Sequence, residues 1–340
     1  MSAKQPTIKE IAKRLNISIS TVSRALHDHP SIGLRTKTRV KELASELMYE
    51  PNQAAIFFQQ RKTFTIGVIL PFLSEAFFSA AISGIEDVAG KNQYTVLLGQ
   101  SRDDAEREKQ IIDTMKKHRV DGLLISISKH TTSYEHFEML KRSGIPLVFF
   151  DCIPNMPDIH YVACNMVSGT VQATSFLLKN GHRVIGLING PEKLYASKQR
   201  KEGYQIAMSK HRLKYDPSLI VNSDLTKESN CEATRQLLLH KRKVTAIVTF
   251  NDYVALDAMQ YAHDQNIDLN KDLCFVSYAN LPLAQHLKYA PMASVEQHPY
   301  LQGQKAAEML VELLGKKEDE KETPGSYKII VDSQLMVYNI

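Results

Sequence analysis

The chain has 340 residues, a hydrophobic fraction of 43% and a formal net charge of +5, which suits two or three folded domains and excludes a disordered chain. No apolar run approaches the roughly 18–20 residues that a membrane helix needs, and the polar segment Met1–Glu10 lacks the apolar core of a signal peptide. The sequence therefore predicts a cytoplasmic protein with no membrane partner. The four cysteines match no zinc-binding spacing, so neither a metal site nor a cofactor is expected.

Positive charge is concentrated at the amino end. Residues 1–62 hold 11 Lys and Arg against 5 Asp and Glu, whereas the remainder is near neutral, with 31 against 32. A basic region on a near-neutral body predicts a polyanion partner for that region alone, although a small domain can also be basic by chance.

Three short helices are predicted in the first fifty residues. Thr7-x-x-Glu10 is a capping box before the first helix, and Ser18 can cap a second helix with apolar residues on one face. A third helix is predicted from about Leu34 to Met48. Two short helices separated by a tight turn, with a third that closes a small core, are typical of a helix-turn-helix domain.

Strands alternating with helices are predicted from Phe64 onward, after a linker at residues 51–63 that begins where Pro51 ends the preceding helix. Short apolar strands separated by helices of about 15 residues predict an α/β body of two doubly wound parallel-sheet subdomains. The predicted strands are Thr65–Leu70, Tyr94–Leu98, Gly122–Ile127, Leu147–Phe150, Val184–Ile188, Ala246–Phe250 and Leu273–Ser277.

Catalytic motifs are absent from the sequence. It contains no GxxxxGK[ST], no GxSxG, no HExxH and no GxGxxG after a strand. No catalytic residue is therefore predicted, and an enzyme is disfavoured.

Segments along the whole chain resemble one family, and they occur in that family's order. Near the amino end they are Thr7-Ile-Lys-Glu-Ile-Ala, Asn16-Ile-Ser-Ile-Ser-Thr-Val-Ser-Arg-Ala-Leu and Tyr49-Glu-Pro-Asn. In the body they are Thr65-Ile-Gly-Val-Ile, Arg119-Val-Asp-Gly-Leu-Leu-Ile, Gly144-Ile-Pro-Leu-Val, Gly181-His-Arg-x-Ile-Gly, Arg200-x-x-Gly203-Tyr and Phe250-Asn-Asp-x-x-Ala. The chain is thereby similar to the lactose-repressor/purine-repressor (LacI) family. The resemblance implies a dimeric DNA-binding transcription regulator with a hinge and an effector cleft.

The resemblance also implies that the second helix lies in the major groove of DNA. Ile19 and Ser20 match the positions that open this helix, and Arg24 matches a base-facing arginine, a residue type that can donate two hydrogen bonds to guanine. Alternatively, Ser18 and Ser20 are helix caps and Arg24 is a solvated charge. Thr7, Thr21 and Ser23 would position the helix on phosphates, and Ser18 is the remaining DNA-contact residue predicted in this domain.

The hinge of the family usually reads Pro-Asn-x-x-Ala-Arg-x-Leu, with the Leu wedged into the minor groove. Here the segment is Pro51-Asn-Gln-Ala-Ala-Ile-Phe-Phe58. Phe58 replaces the wedge Leu, a role that Phe accepts, whereas Ile56 replaces the Arg and removes one expected contact. Alternatively, Phe57 and Phe58 pack on the body. The hinge residues predicted to contact DNA are Asn52, Ala55 and Phe58.

Effector-binding residues are expected at the carboxyl ends of parallel strands, in the crevice between the subdomains. Asp151 ends the fourth strand, and Arg200 matches the family's ligand-clamping arginine. One residue of the pair Asn251-Asp252 must also cap the next helix, and the two adjacent phenylalanines could belong to the core. The predicted effector-binding residues are Phe77, Phe78, Ser126, Asp151, Arg200, Asn251 and Asp252.

Two positions in the body depart from the family pattern. Ala279 stands where an Asp commonly holds ligand hydroxyls beside the arginine, and Leu225 stands where an aromatic residue is common. Without that Asp, either Asp151 pairs with Arg200 or the ligand supplies the anion. The sequence therefore favours a ligand with an acidic group, such as a sugar acid or sugar phosphate, with neutral sugars second.

Taken together, these patterns predict a transcription regulator, with repression the favoured sign. A sugar or sugar derivative would control the affinity of the homodimer for a palindromic operator in double-stranded DNA. The alternative is a soluble solute-binding or carbohydrate-modifying protein on the same body fold. The predicted domains are a helix-turn-helix domain (1–50), a hinge (51–63) and a body (64–340) divided into subdomain one (64–163 and 293–325) and subdomain two (164–292 and 326–340).

Overall fold

The computed structural model describes residues 6–50, 62–316 and 325–338. The chain divides after Thr63 into two compact units, and each is described by itself. The predicted hinge residues Asn52, Ala55 and Phe58 lie outside the described residues. Within the described ranges, no helix is long and apolar enough to cross a membrane.

The first unit consists of three short helices around a small core, as predicted for a helix-turn-helix. The hydroxyl of Thr7 accepts a hydrogen bond from the backbone N–H of Glu10 and begins the first helix. Asn16, in the left-handed region with φ of 52°, ends that helix and turns the chain toward the second. The helices are α1 (Ile8–Leu15), α2 (Ile19–Leu26) and α3 (Leu34–Glu46), and they bury Ile11, Ala12, Val22, Ala25, Val40 and Ala44.

The second unit contains two sheets with helices between their strands. Its elements in chain order are β1 (Thr65–Leu70), α4 (Ala76–Lys91), β2 (Thr95–Gln100), α5 (Ala105–Lys117), β3 (Gly122–Ile125), α6 (Glu135–Arg142), β4 (Leu147–Phe150), β5 (His160–Cys164), α7 (Met166–Lys179), β6 (Ile185–Asn189), α8 (Tyr195–Lys210), β7 (Ile220–Asn222), α9 (Lys227–Leu238), β8 (Ala246–Thr249), α10 (Asp252–Asp264), β9 (Cys274–Tyr278), β10 (Ala293–Glu296), α11 (Pro299–Gly315), β11 (Lys328–Val331) and β12 (Gln334–Val337).

The two sheets share one topology, which confirms the predicted doubly wound α/β architecture. The strand order is β11-β5-β4-β3-β1-β2 in the first sheet and β12-β10-β9-β8-β6-β7 in the second. Every pairing is parallel except that of β12 with β10. In each sheet the order reverses beside its first strand in the chain, β1 or β6. Such a reversal opens a crevice at the carboxyl ends of the strands.

Two of the three predicted passages between the subdomains are wrong. The passage after Cys164 lies within one residue of the predicted one, but β10 pairs with β9 in the second sheet and β11 pairs with β5 in the first. Ala293–Glu296 therefore belongs to subdomain two and Lys328–Val331 to subdomain one, the reverse of the prediction. Both are four-residue strands that mix apolar and polar residues, so local pattern cannot distinguish them, and only long-range pairing decides their sheet.

Helices α4 and α11 approach each other through two glycines. A Cβ atom on Gly84 would lie 2.2 Å from the carbonyl oxygen of Tyr300, and one on Gly303 would lie 2.0 Å from the carbonyl oxygen of Ala81. Because the obstructing atoms are backbone atoms, they cannot rotate away. The contact between these helices therefore depends on the absence of a side chain at both positions.

Gly303→Ala is expected to destabilise the second unit by about 1–3 kcal/mol or more, because the added methyl forces α4 and α11 apart. Gly90→Ala is the matched control, since a Cβ on this residue of α4 meets no atom within 4 Å. That control should stabilise the protein by roughly 0.5–1 kcal/mol through helix propensity. Urea unfolding measures both changes, and similar effects of the two substitutions would contradict the close-packing argument.

Candidate functional site

The amino end of α2 is held by a cluster of hydroxyl groups. The Oγ atom of Ser18 accepts a hydrogen bond from the backbone N–H of Thr21 at 3.0 Å. The same atom lies 2.8 Å from the hydroxyls of Ser20 and of Thr21. Ser18 is therefore a helix cap, and the hydroxyl of Ser20 is tied to that cap.

Other side chains of α2 remain available for a partner. Ile19 is 45% exposed, and Arg24 is exposed. Within the described part of the chain, the guanidinium of Arg24 has no hydrogen bond or ion pair, in contrast to Arg14, which pairs with Glu10 at 2.8 Å. Thr7 is exposed beside the start of α1, and Thr21 and Ser23 are partly exposed. The structure thus leaves an apolar group and an unpaired cation on one short helix.

The second unit has a cavity of about 400 Å³ at the carboxyl ends of its strands. Residues of both subdomains line it, and its volume suits a small molecule. Phe78 is buried and Phe77 is partly buried, with ring centroids 5.3 Å apart in an edge-to-face arrangement. The residues among those predicted for the effector that line this cavity are Phe77, Phe78, Asp151, Arg200 and Asn251.

Arg200 lies on α8 and is only 3% exposed. Its guanidinium carbon lies 4.0 Å from the ring centroid of Phe250 and 4.3 Å from that of Tyr278. Among the described residues, the Nε and Nη1 atoms have no hydrogen-bond partner, and the ion pair with Asp151 that the sequence left open is not formed. Burial lowers the pKa of Arg200. A buried guanidinium with two unused donors is costly, so oxygen atoms of a ligand would be favourable partners.

Carboxylates stand on the opposite wall of the cavity. Burial raises the pKa of Asp151 to about 6, and burial together with the negative charges of Asp151 and Asp103 raises the pKa of Glu75 to about 7. Lys129 compensates part of this charge, with its Nζ atom 3.4 Å from Oδ2 of Asp103. The cavity therefore has an acidic wall from subdomain one and a cationic group from subdomain two.

Two of the predicted effector residues do not line the cavity. Ser126 is fully buried, and its hydroxyl donates to Asp151 at 3.2 Å, so it orients a lining residue instead of contacting a ligand itself. Asp252 accepts hydrogen bonds from the hydroxyls of Ser277 and Ser294 and from the backbone N–H of Leu281. It braces β9 and β10 against α10, which is a structural role. Burial raises the pKa of Asp252.

Asn251 both caps a helix and lines the cavity, and the sequence had suggested these two roles for the pair Asn251-Asp252. Its side-chain oxygen accepts the backbone N–H of Val254 at 3.0 Å and so caps α10, and the residue also lines the cavity. Its amide nitrogen has no hydrogen bond within the described ranges. The side chain can therefore cap the helix through its oxygen and donate to a ligand through its nitrogen.

Several residues that line or shape the cavity were not predicted, and five of them bear on its charge and its aromatic walls. Asp103 and Lys129 follow β2 and β3 by a few residues, so the strand-end rule applied to more strands would have found them. The remaining three carry no local signal, because their place in the site depends on contacts between distant segments. They are Glu75, Phe250 and Tyr278.

Both departures from the family pattern lie in the same cavity. Ala279 and Leu225 line it, and both have positive φ angles, of 94° and 72°. Such angles are unusual for residues with a Cβ atom. The departure expected from the resemblance at Ala279 therefore lies on the cavity wall and not on a remote surface. Within the described residues, no group of three or more His, Cys, Asp or Glu could hold a metal ion.

Glu75 is expected to make the stability of the second unit depend on pH. Its pKa is raised from 4.5 to about 7, so between these values the folded state holds the proton that the unfolded state has lost. The free energy of unfolding should then fall as the pH rises through this window and level off above it. Because the side chain of Glu75 keeps partial contact with solvent, we expect the free energy of unfolding to fall by only roughly 1–2 kcal/mol.

The measurement is urea unfolding between about pH 5 and 8 for the wild type and for Glu75→Gln, which should lose this component of the slope. Glu86→Gln, at an exposed carboxylate on α4, the helix that begins directly after Glu75, is the control and should retain the slope. An unchanged slope in Glu75→Gln would assign the pH dependence to other groups.

Comparisons with known proteins identify relatives of both units. Residues 7–52 match the family described as bacterial regulatory proteins, lacI family, and residues 63–334 match periplasmic binding proteins and sugar binding domain of LacI family. Catabolite control protein A of Priestia megaterium is 30% identical over 312 residues, which cover 92% of this chain and 93% of that protein. The HTH-type transcriptional repressor CytR of Escherichia coli (strain K12) is 28% identical over 331 residues, covering 97% and 95%.

Solved structures of similar fold include transcription regulators of the same kind. The transcriptional regulator CelR in complex with cellobiose has a TM-score of 0.73 and 26% identity, with 98% of each chain covered. The lac repressor dimer bound to operator and the anti-inducer ONPF has a TM-score of 0.82, and at 21% identity it shows the shared fold alone. The relatives found by sequence are transcription regulators and not enzymes, which disfavours the alternative of a solute-binding or carbohydrate-modifying protein.

Proposed function

The chain belongs to the LacI family of bacterial regulatory proteins, and from that premise we propose how its two units divide the regulation of transcription. It is a sequence-specific DNA-binding transcription regulator under the control of a small-molecule effector. The observation that carries the assignment of residues is that, among the residues that the structure describes, the guanidinium of Arg24 and two nitrogen atoms of Arg200 have no hydrogen-bond partner. Arg24 is exposed on a capped helix of the first unit, and Arg200 is buried beside the cavity of the second.

In the first unit, α2 would enter the major groove of the operator. Arg24 would donate to a guanine, and the exposed side chain of Ile19 would contact an apolar group such as a thymine methyl. Ser20 would read a base only by exchanging its hydrogen bond with the cap for one to DNA. Phosphate contacts from Thr7, Ser18, Thr21 and Ser23 would fix the register of the helix.

The hinge residues Asn52, Ala55 and Phe58 are proposed to contact the minor groove, with Phe58 inserted between base pairs at the operator centre. Phe58→Ala is expected to reduce the bend of the operator and the specific affinity, and to leave non-specific binding nearly intact. A circular-permutation gel assay measures the bend, and an unchanged bend would remove Phe58 from the role of a wedge.

Two copies of the chain would bind a palindromic operator as a homodimer, one α2 helix in each half-site. Support comes from the shared fold with a lac repressor dimer bound to operator. Closing the cavity around an effector would move the subdomains and so change whether both half-sites can be reached. Repression is the proposed sign because relatives such as CytR are repressors. A regulator that acts on the bacterial chromosome would work in the cytoplasm, which is the proposed location.

The effector is proposed to be a sugar or sugar derivative bound between the two subdomains. Arg200 would donate to oxygen atoms of the ligand, and Asp151, oriented by Ser126, would accept from hydroxyls. Phe77 would cover an apolar ring face. Asn251 would supply an amide donor, whereas Asp252 would support the wall without contact.

The test of this function is to sequence the genomic fragments that the full-length protein binds at moderate salt, and then to release them with a panel of sugars and sugar acids. A small set of palindromic sites is expected, and at least one compound should change their occupancy. Uniform coverage of the genome, or chemical turnover of a sugar in the panel, would contradict the proposal and favour the alternative class.

A further inference from the structure

Two aromatic rings pack against the buried guanidinium of Arg200. Its central carbon lies over the faces of both rings, 4.0 Å from the centroid of Phe250 and 4.3 Å from that of Tyr278. Both distances are well inside the roughly 6 Å over which a ring face attracts a cation. Among the described residues, no carboxylate forms an ion pair with Arg200, so the two rings are the groups that stabilise its charge.

A ring face and a carboxylate stabilise a buried cation in different ways. A carboxylate accepts the N–H groups of a guanidinium and so occupies its donors. A ring face attracts the positive charge through its quadrupole and does not need those donors. The two rings therefore lower the cost of burying the charge of Arg200, while its Nε and Nη1 atoms remain available to a ligand.

The ring of Tyr278 is fixed by its hydroxyl group. Tyr278 is fully buried at the end of β9, and its hydroxyl donates to the backbone carbonyl of Met166 at 2.9 Å. The hydroxyl of Thr170 donates to the same carbonyl at 3.0 Å and also contacts the hydroxyl of Tyr278. Because Met166 and Thr170 both lie on α7, the ring is anchored to a helix, and its position does not depend on a bound ligand.

The ring of Phe250 has room because Gly190 carries no side chain. Phe250 follows β8, and Gly190 follows the neighbouring strand β6. A Cβ atom on Gly190 would lie 2.6 Å from Cε2 and 2.8 Å from Cδ2 of the Phe250 ring. The next nearest atom, at 3.0 Å, is the hydroxyl oxygen of Ser197. A side chain at this glycine would therefore displace the ring of Phe250 before it met Arg200.

We propose that Phe250 and Tyr278 are positioning residues, which hold the guanidinium of Arg200 in the cavity wall with its donors free for the acidic group of an effector. Phe250 also lines the cavity, whereas Tyr278 acts from behind Arg200. Their effect on ligand binding rests on the proposed function of the cavity. Their effect on the position of Arg200 requires no ligand and can be measured separately.

The Nε–Hε resonance of Arg200 in the full-length protein, with no compound added, reports the position of the guanidinium. Arg200→Lys assigns this resonance. Protons that lie over the face of an aromatic ring are shielded, so the resonance is expected upfield of those of the exposed arginines. Phe250→Leu should lose a large part of this upfield shift, whereas Phe250→Tyr, which keeps a ring, should retain it.

Further variants separate a positioning effect from a general loss of packing. Gly190→Ala should shift the Arg200 resonance as Phe250→Leu does, although neither variant alters Arg200 itself. Tyr278→Leu should lose the contribution of the second ring, with Tyr278→Phe as its ring-keeping counterpart. Phe137→Leu removes an equally buried ring from subdomain one and should leave the Arg200 resonance unchanged. Thermal melts verify that each variant is folded.

Titration with gluconate and with glucose 6-phosphate, with glucose as the neutral counterpart, measures the consequence for binding. In the wild type, an acidic compound that pairs with Arg200 should move the Arg200 resonance saturably. Phe250→Leu and Gly190→Ala are each expected to weaken that binding by roughly tenfold, because the guanidinium is then no longer held in place before the ligand arrives. Phe250→Tyr should restore most of the affinity.

Two outcomes would overturn the positioning role. The first is an Arg200 resonance that is the same in the folded variants Phe250→Leu and Gly190→Ala as in the wild type. The second is a Phe250→Tyr variant that loses as much of the upfield shift as Phe250→Leu. A wild-type resonance that responds to none of the three compounds would count against the acidic effector instead, and the resonances of the variants would still decide whether the rings position Arg200.

Discussion

Operator binding by the full-length protein is expected to weaken by about 10³-fold or more when the salt concentration rises from about 50 to 200 mM. The first 62 residues carry 11 Lys and Arg against 5 Asp and Glu, and each cation that meets a phosphate releases condensed counterions. Fluorescence anisotropy with a labelled operator at several salt concentrations measures this slope. A nearly flat slope would exclude phosphate neutralisation as the main source of affinity.

A matched pair of variants separates base reading from charge in the same assay. Arg24→Ala is expected to weaken operator binding by about 1–3 kcal/mol and to relax one base position in each half-site. Arg39→Ala removes the same charge from the exposed face of α3 and should weaken operator and random DNA alike. Equal losses from Arg24→Ala on both DNAs would mean that Arg24 meets a phosphate.

Strands that are continuous apolar runs could be predicted from local sequence, whereas short strands that carry polar residues or are mostly exposed could not. The predicted bounds of β1 and β4 agree with the structure, because each is a continuous apolar run that local pattern reveals. β12 is a four-residue strand that is mostly exposed, so it lacks that signal. The assignment of β10 and β11 to the wrong subdomains has the same origin, since each is placed by pairing with a distant strand.

The candidate site was predictable to the level of its location but not of each residue's role. Asp151 and Asn251 follow strands and line the cavity, whereas Ser126 and Asp252 stand at equivalent places and form hydrogen bonds within the protein. Sequence position cannot separate a lining residue from a bracing one, because the difference is the direction of a side chain. Glu75 illustrates the converse, since its raised pKa arises from burial and then from acids on two other segments, neither of which local sequence reveals.

The second prediction with a large expected effect is that the effector carries an acidic group. It follows from the surroundings of Arg200. Within the part of the chain that the structure describes, two nitrogen atoms of its buried guanidinium have no hydrogen-bond partner, and it forms no ion pair with Asp151. An acidic ligand that pairs with Arg200 would accept hydrogen bonds from both of these nitrogen atoms. Among an aldose, the matching aldonate and the matching sugar phosphate, we therefore expect the acidic compounds to stabilise the protein most. At 100 times its Kd a ligand adds roughly 2.7 kcal/mol, which a thermal melt detects.

Arg200→Ala should reduce the affinity for the acidic ligand by roughly 10²-fold or more, because the ligand's anion would then be buried without a partner. Arg200→Lys is the matched control for charge. It should recover only part of the loss, since a point charge does not reproduce the planar donors of the guanidinium. If only neutral sugars raise the melting temperature, or if Arg200→Ala leaves the acidic ligand's effect intact, the charge argument is wrong.

The acidic wall of the cavity also determines how the affinity for an acidic ligand should change with pH. A bound anion raises the pKa of Glu75 and Asp151 further from about 7 and about 6, so binding of an acidic ligand should take up protons and strengthen as the pH falls toward 6. Ala279→Asp restores the carboxylate that the family commonly has at this position of the cavity wall. It would compensate Arg200 from within the protein, so the variant should lose its preference for acidic ligands and gain affinity for the neutral sugar. An unchanged preference in Ala279→Asp would show that this position does not set the ligand's charge.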